Sequence, residues 1–284
     1  VAIGNYALDA LTSADGNTAI GYEAGSAIAT GGRHTAVGYQ ALKTMSGGTV
    51  GNVAIGWKAL TAATGEYNTA VGDQAGLIVS SGVRNMAIGA GALVNADTEN
   101  DNMAFGADSM AGAINGGEFN IAIGRQTLDA LTSADYNVAV GYQAGTAITT
   151  GGENVLYGKG AGGAITTGSG NTMIGMNAGD GFDSETNNIG IGRNALGGAI
   201  NGGEYNVAVG NQALDALTSA DFCTAVGYEA GSAVTTGLKT TLVGYGAGKV
   251  QTTAQNTTLV GYNAGVANTA HECTAFGSES ALAN

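Results

Sequence analysis

The chain has 284 residues, of which 44% are apolar and 11% charged, with 51 glycines and no proline. That composition excludes collagen, which needs glycine at every third position and abundant proline, and a disordered chain, which is charge-rich and poor in apolar residues. The formal net charge of −13 argues against nucleic acid, whose phosphates call for clustered Lys and Arg, and against docking on bare anionic lipid. No run of about 18 apolar residues is present to insert into a membrane.

Read from the N-terminus, a short apolar group ending in glycine opens the chain as Ala2-Ile3-Gly4 and then returns to its end. Its later glycines are Gly21, Gly38, Gly56, Gly72, Gly89, Gly106, Gly124, Gly141, Gly158, Gly175, Gly192, Gly210, Gly227, Gly244, Gly261 and Gly277. The spacings are 16, 17 or 18 residues, most of them 17. A period so short and strict predicts a solenoid in which one coil stacks on the next. The expected fold is therefore all-β, a parallel β-solenoid or β-roll of about 17 coils with a ~17-residue repeat. At ~4.8 Å per coil it would make a rod of roughly 80 Å. Residues 1–284 read as one continuous array without a linker. The array starts and stops inside a repeat, as a fragment of a longer fibre would.

Within the repeat, the recurrent glycine is numbered position 5. Position 1 is Asn in 11 of the 16 copies that contain it, with His34, Cys223, Thr240, Thr257 and Cys273 as the exceptions. An Asn amide suits a corner, where it can bond to nearby backbone, and stacked copies would form an asparagine ladder. Positions 2 to 4, as in Thr18-Ala19-Ile20, favour a short strand because they are rich in β-branched residues. Positions 2 and 4 then share one face and position 3 takes the other. Both faces are largely apolar, so both are expected to be covered, one by the coil and the other by a partner chain. Glycine at position 5 turns the chain, either at positive φ or where a Cβ would strike the next coil.

The second half of the repeat is ambiguous. Ala7-Leu8-Asp9-Ala10-Leu11 fits a helical turn as well as a strand, and Ala144 to Thr150 is more strand-like. A second short strand is expected in most coils, ending at exposed Gly, Asn, Asp or Glu corners. Longer blocks are duplicated: Leu8–Asp15 recurs at Leu128–Asp135 and Leu214–Asp221, and Ala113–Glu118 recurs at Ala199–Glu204.

Residues able to carry chemistry are few. His34 and His271 lie near opposite ends and cannot share a metal site or a triad. Gly158-Lys159-Gly160-Ala161-Gly162-Gly163 lacks the spacing of a phosphate loop. The acids of Asp180-Gly181-Phe182-Asp183-Ser184-Glu185 lack a calcium-loop pattern and are expected to face water. Cys223 and Cys273 both take position 1, three coils and roughly 14 Å apart. That is too far for a disulfide within the chain, leaving two small residues filling a slot or a bond between chains. Position 6 carries Tyr22, Tyr39, Trp57, Tyr142, Tyr228, Tyr245 and Tyr262. Stacking would align Tyr228, Tyr245 and Tyr262 as a ladder, serving either packing or sugar binding.

The motif Asn17-Thr18-Ala19-Ile20-Gly21, and the string His34-Thr35-Ala36-Val37-Gly38-Tyr39-Gln40-Ala41-Leu42, resemble the head repeats of trimeric autotransporter adhesins and the repeat arrays of bacteriophage tail fibres. The resemblance covers the whole chain. It implies a β-roll whose three chains pack side by side into a fibre or head that binds a host or surface, with glycans as the usual target. The longer period favours the tail-fibre group.

The expected function is structural and adhesive: the shaft or head of a tail fibre or surface adhesin, a parallel homotrimer on a virion or cell surface. No catalytic, cofactor or metal residues are assigned, and an enzyme is not expected. The alternatives are an ice- or mineral-binding solenoid, from the Thr149-Thr150, Thr166-Thr167 and Thr235-Thr236 pairs, and a fibre-borne polysaccharide hydrolase with paired carboxylates.

Overall fold

The computed structural model describes residues 1–46, 48–199, 201–266 and 270–281. The chain forms two compact units, Val1–Asn137 and Val138–Asn284. The first contains strands β1 (Ala2–Ile3), β2 (Thr18–Ile20), β3 (Thr35–Val37), β4 (Val53–Ile55), β5 (Thr69–Val71), β6 (Met86–Ile88), β7 (Met103–Phe105) and β8 (Ile121–Ile123). The second contains β9 (Val138–Val140), β10 (Val155–Tyr157), β11 (Thr172–Ile174), β12 (Ile189–Ile191), β13 (Val207–Val209), β14 (Thr224–Val226), β15 (Thr241–Val243), β16 (Thr258–Val260) and β17 (Thr274–Phe276).

Inside each unit every strand pairs in parallel with the next, and equivalent repeat positions face each other: Ala19 meets Ala36, and Val207 meets Thr224. Each unit is thus a parallel β-solenoid whose coil is one repeat. The predicted strand at positions 2 to 4 is present in every copy, shortened to positions 3 and 4 in the first. No helix occurs among the described residues.

The second half of the coil departs from expectation. Among the described residues it is turn rather than strand, with only the isolated bridges Gly32–Val50 and Ala96–Ile114 outside the named strands. Ala24 N–H donates to Gly21 O at 3.4 Å and Ile28 N–H to Gly25 O at 3.1 Å, closing successive β-turns. Left-handed residues produce the bending: Glu23 has φ 53° and Leu60 φ 48°, at positions 7 and 9. A further left-handed residue, such as Tyr136 at φ 60°, lies immediately before position 1 and is numbered position 0. Such a φ costs a side-chain-bearing residue roughly 1–2 kcal/mol. Bonds between coils, such as Leu60 N–H to Ala75 O at 3.0 Å, offset that cost and hold the chain in a circuit too short for two extended strands.

At position 5 both suggested reasons for glycine operate together. Gly141 has φ 140°, and a Cβ built on it would lie under 3.0 Å from the Gly158 carbonyl of the next coil.

The interior is thin and its volume is shared between positions. Position 3 is buried Ala in most coils, and so is position 8. Where position 3 enlarges to Leu156 or Met173, position 9 shrinks to Gly162 or Gly179; where position 3 is Gly190, position 9 is Leu196. A Cβ on Gly179 would touch Met173 Sδ at 2.5 Å. Elsewhere both positions are small, as with Ala19 and Gly25, and Ile28 Cδ1 takes the space a Cβ on Gly25 would need, so the volume of a close-packed interior is shared among several positions.

The asparagine ladder runs inside this core. Asn68, Asn120, Asn171 and Asn206 are fully buried. Asn171 Oδ1 accepts the N–H of Asn188 at 3.0 Å, and its Nδ2 donates to Glu185 O at 2.8 Å. Each amide therefore satisfies one coil-to-coil donor and one acceptor that the turns leave unpaired.

Candidate functional site: the outward strand face

Because position 3 points inward, positions 2 and 4 point out. No charged residue stands at either position in any strand. Phe105 is 51% exposed, Tyr157 59%, and Ile55, Ile123 and Ile189 are also exposed. Solitary exposed apolar residues are ordinary. Within each unit they recur at position 4 of adjacent strands, beside Thr or apolar residues at position 2, and such a row, without the charges that normally discourage association, is the candidate contact surface.

Exposed side chains at positions 6 and 0 flank this strip. At position 6, Tyr228 stacks on Tyr245 with centroids 5.2 Å apart at 15°, and Tyr245 on Tyr262 at 5.3 Å. The predicted ladder is thus assembled in the second unit. The first unit holds a similar run: Tyr22 on Tyr39 at 5.4 Å, then Trp57 at 6.3 Å, with Lys58 Nζ 4.5 Å from the Trp57 ring centre. The rings cover one another's faces and turn their edges to solvent. A sugar could stack only on an end ring, so most of the aromatic area serves packing between coils.

Sequence reasoning missed the position 0 row. Phe119 stacks on Tyr136 at 5.2 Å, and Tyr205 on Phe222 at 5.4 Å, both at 4°. Aligning the residue before each position 1 would have found them.

Ion pairs brace both position 6 ladders. Lys43 bonds Glu23 at 2.7 Å, Gln40 Nε2 donates to the same carboxylate at 2.7 Å, and Lys249 pairs with Glu229. The lysine hydrogen bonds hold both Glu23 and Glu229 below the usual carboxylate range. The neighbouring carboxylates push the Tyr22 and Tyr228 phenols up, through charge at Tyr22 and chiefly a hydrogen bond at Tyr228.

Other candidate residues turn out to be parts of the scaffold. His34 is 1% exposed in the ladder slot. Its Nδ1 accepts Asn52 N–H at 3.2 Å and its Nε2 lies 3.0 Å from Thr49 O, the arrangement of a neutral ring protonated on Nε2. Cys223 is fully buried, its Sγ donating to Gly237 O at 3.1 Å, and burial pushes its thiol pKa up. It cannot meet a second chain without opening its coil. Cys273 is half-buried, and no disulfide forms among the described residues.

One expectation about the acidic segment is overturned: Glu185 does not face water. It is 2% exposed and accepts N–H bonds from Asp183 at 2.8 Å, Ser184 at 3.1 Å and Gly202 at 2.9 Å. Glu99 does the same for Thr98 and Gly116, at 3.0 and 2.8 Å. Each carboxylate anchors a loop of the duplicated Ala-Ile-Asn-Gly-Gly-Glu block in the next coil.

The threonine hydroxyls bond across coils. Thr149 Oγ1 donates to Thr166 O at 3.1 Å, and Thr218 Oγ1 to Thr235 O at 3.0 Å. Among the described residues there is no pocket, no group of three His, Cys, Asp or Glu able to hold a metal, and no helix long and apolar enough to cross a membrane. No protein-family model and no curated protein matches the chain.

Proposed function

We propose that this chain is a structural, adhesive segment of a surface fibre that associates with copies of itself through the outward strand face. The observation that carries the reading is the charge-free strip at positions 2 and 4, with Phe105 and Tyr157 more than half exposed. A solenoid coil encloses little volume, so burying this strip against further copies adds the apolar contact that each coil lacks alone. The resemblance to tail-fibre and adhesin repeats supports three parallel chains, a virion or cell-surface location and a role in attachment rather than catalysis. The repeat supports the same reading, since it spreads similar side chains evenly instead of gathering unlike ones at one place.

Sedimentation equilibrium on residues 1–284 tests this. The expected species is a trimer whose dissociation accompanies unfolding. A stable folded monomer at micromolar concentration would overturn the reading. Replacing Ile123 with Lys, on the outward face of the first unit, should shift a trimer towards smaller species, because it places a charge where the partner offers none.

A further inference from the structure

Positions 0 and 6 are the two flanks of the outward face, and both are exposed in most described coils. Five residues, including the strand at positions 2 to 4, lie between them, and that strand alone spans roughly 10 Å, so they do not meet within a coil. Several charges in these rows have no ion partner among the described residues. Glu153 and Lys159, at positions 0 and 6 of one coil, make none of the ion pairs found among the described residues, and neither do Arg125 and Lys239.

We infer that position 6 of one copy packs against position 0 of the next copy at the same coil. The inference rests on the self-association just proposed and adds the pairing scheme. Parallel chains around a rotation axis along the stack bring opposite flanks together, and the rotation leaves height unchanged, so equivalent coils meet. An antiparallel two-fold pair would instead set like flank against like flank. The two rows suit the parallel arrangement. Glu153 meets Lys159, an acid against a base, and Arg125 meets Phe119, a cation beside a ring stacked on one side by Tyr136. No coil carries like charges in both rows.

Cysteine crosslinking tests the scheme in the full chain with Cys273 changed to Ser. The double variant Glu153→Cys with Lys159→Cys cannot close a disulfide within a coil. On mild oxidation it should shift from monomer to covalently closed trimer on a non-reducing denaturing gel. Pairing Glu153→Cys instead with Tyr142→Cys or Met176→Cys, one coil to either side, should crosslink far less. Stronger crosslinking by either of those pairs would overturn the equal-height pairing. A trimer in sedimentation that none of the three pairs captures would also overturn it, while leaving self-association standing. A crosslink-free monomer would remove both.

Discussion

The backbone N–H of Asn188 donates to the side-chain oxygen of Asn171 at 3.0 Å, one coil earlier and wholly inside the second unit. The same Asn171 side chain donates through Nδ2 to Glu185 O at 2.8 Å. Removing it strands a buried donor and a buried acceptor at once. Asn171→Ala should therefore cost about 2–4 kcal/mol, the combined penalty of two unsatisfied groups. Asn5→Ala, at an exposed position, should change stability by less than ~0.5 kcal/mol. Denaturant midpoints for the two variants make the comparison, and equal midpoints would refute the ladder's role.

Gly141 faces two independent obstacles to a side chain: φ of 140° and the neighbouring Gly158 carbonyl. Gly141→Val should destabilise the second unit by at least about 1–3 kcal/mol from backbone strain, with the clash adding to it. Gly116 has φ 100° and open space around its Cβ position. Gly116→Ala should show the strain without the clash and so lose less. Thermal melts showing Gly141→Val unchanged would mean that the coils can part locally at no cost.

Burial lowers the His34 pKa below its ordinary value of 6.5. The unfolded chain therefore binds the proton first as pH falls, and it holds more protons than the folded chain below that value. Stability should decline as pH drops below about 6.5 and keep declining until the folded pKa is reached. Protonation also removes the Nδ1 acceptor used by Asn52 N–H. His34→Asn, which installs the usual ladder residue, should flatten the melting temperature between about pH 7 and about pH 5.5. An unchanged slope in that variant would assign the pH dependence to other groups.

Tyr245 lies between Tyr228 and Tyr262 and contacts both rings at 5.2–5.3 Å. Tyr245→Ala breaks both stacks and should cost about 1–2 kcal/mol, while Tyr245→Phe should cost little, because the ring rather than the hydroxyl makes the contact. Urea titrations of the two variants read this directly. Equal losses would assign the stabilisation to the phenol oxygens.

What the sequence makes legible is whatever repeats in one column. Gly141 and Gly158, Asn171 and Asn188, and Tyr228 and Tyr245 each stand one repeat apart, so a period alone aligns them in space. The second half of the coil was hidden because single-residue preference argues against Leu60 or Gln40 at positive φ, yet both adopt it, at 48° and 54°. The stack imposes that conformation through bonds between coils, which no isolated segment displays. Glu185 was misread for a related reason: Glu is seldom buried. Its partners include Gly202, 17 residues away, where an inserted loop reaches back.

Glu185 acts only as an acceptor. Its carboxylate takes N–H bonds from Asp183, Ser184 and Gly202. An amide of the same shape would turn one oxygen into a donor facing other donors. Glu185→Gln should thus be destabilising, by about 1–3 kcal/mol, despite its conservative shape. Asp9→Asn, on an exposed acid, should be within ~0.5 kcal/mol of the parent. The local signature is exchange of the Gly202 amide with solvent deuterium. In Glu185→Ala that amide should lose protection, whereas the Gly116 amide, held by Glu99 at 2.8 Å, should keep its own. Undiminished protection at Gly202 would mean that the loop is held by its backbone alone and that the buried carboxylate does not anchor it.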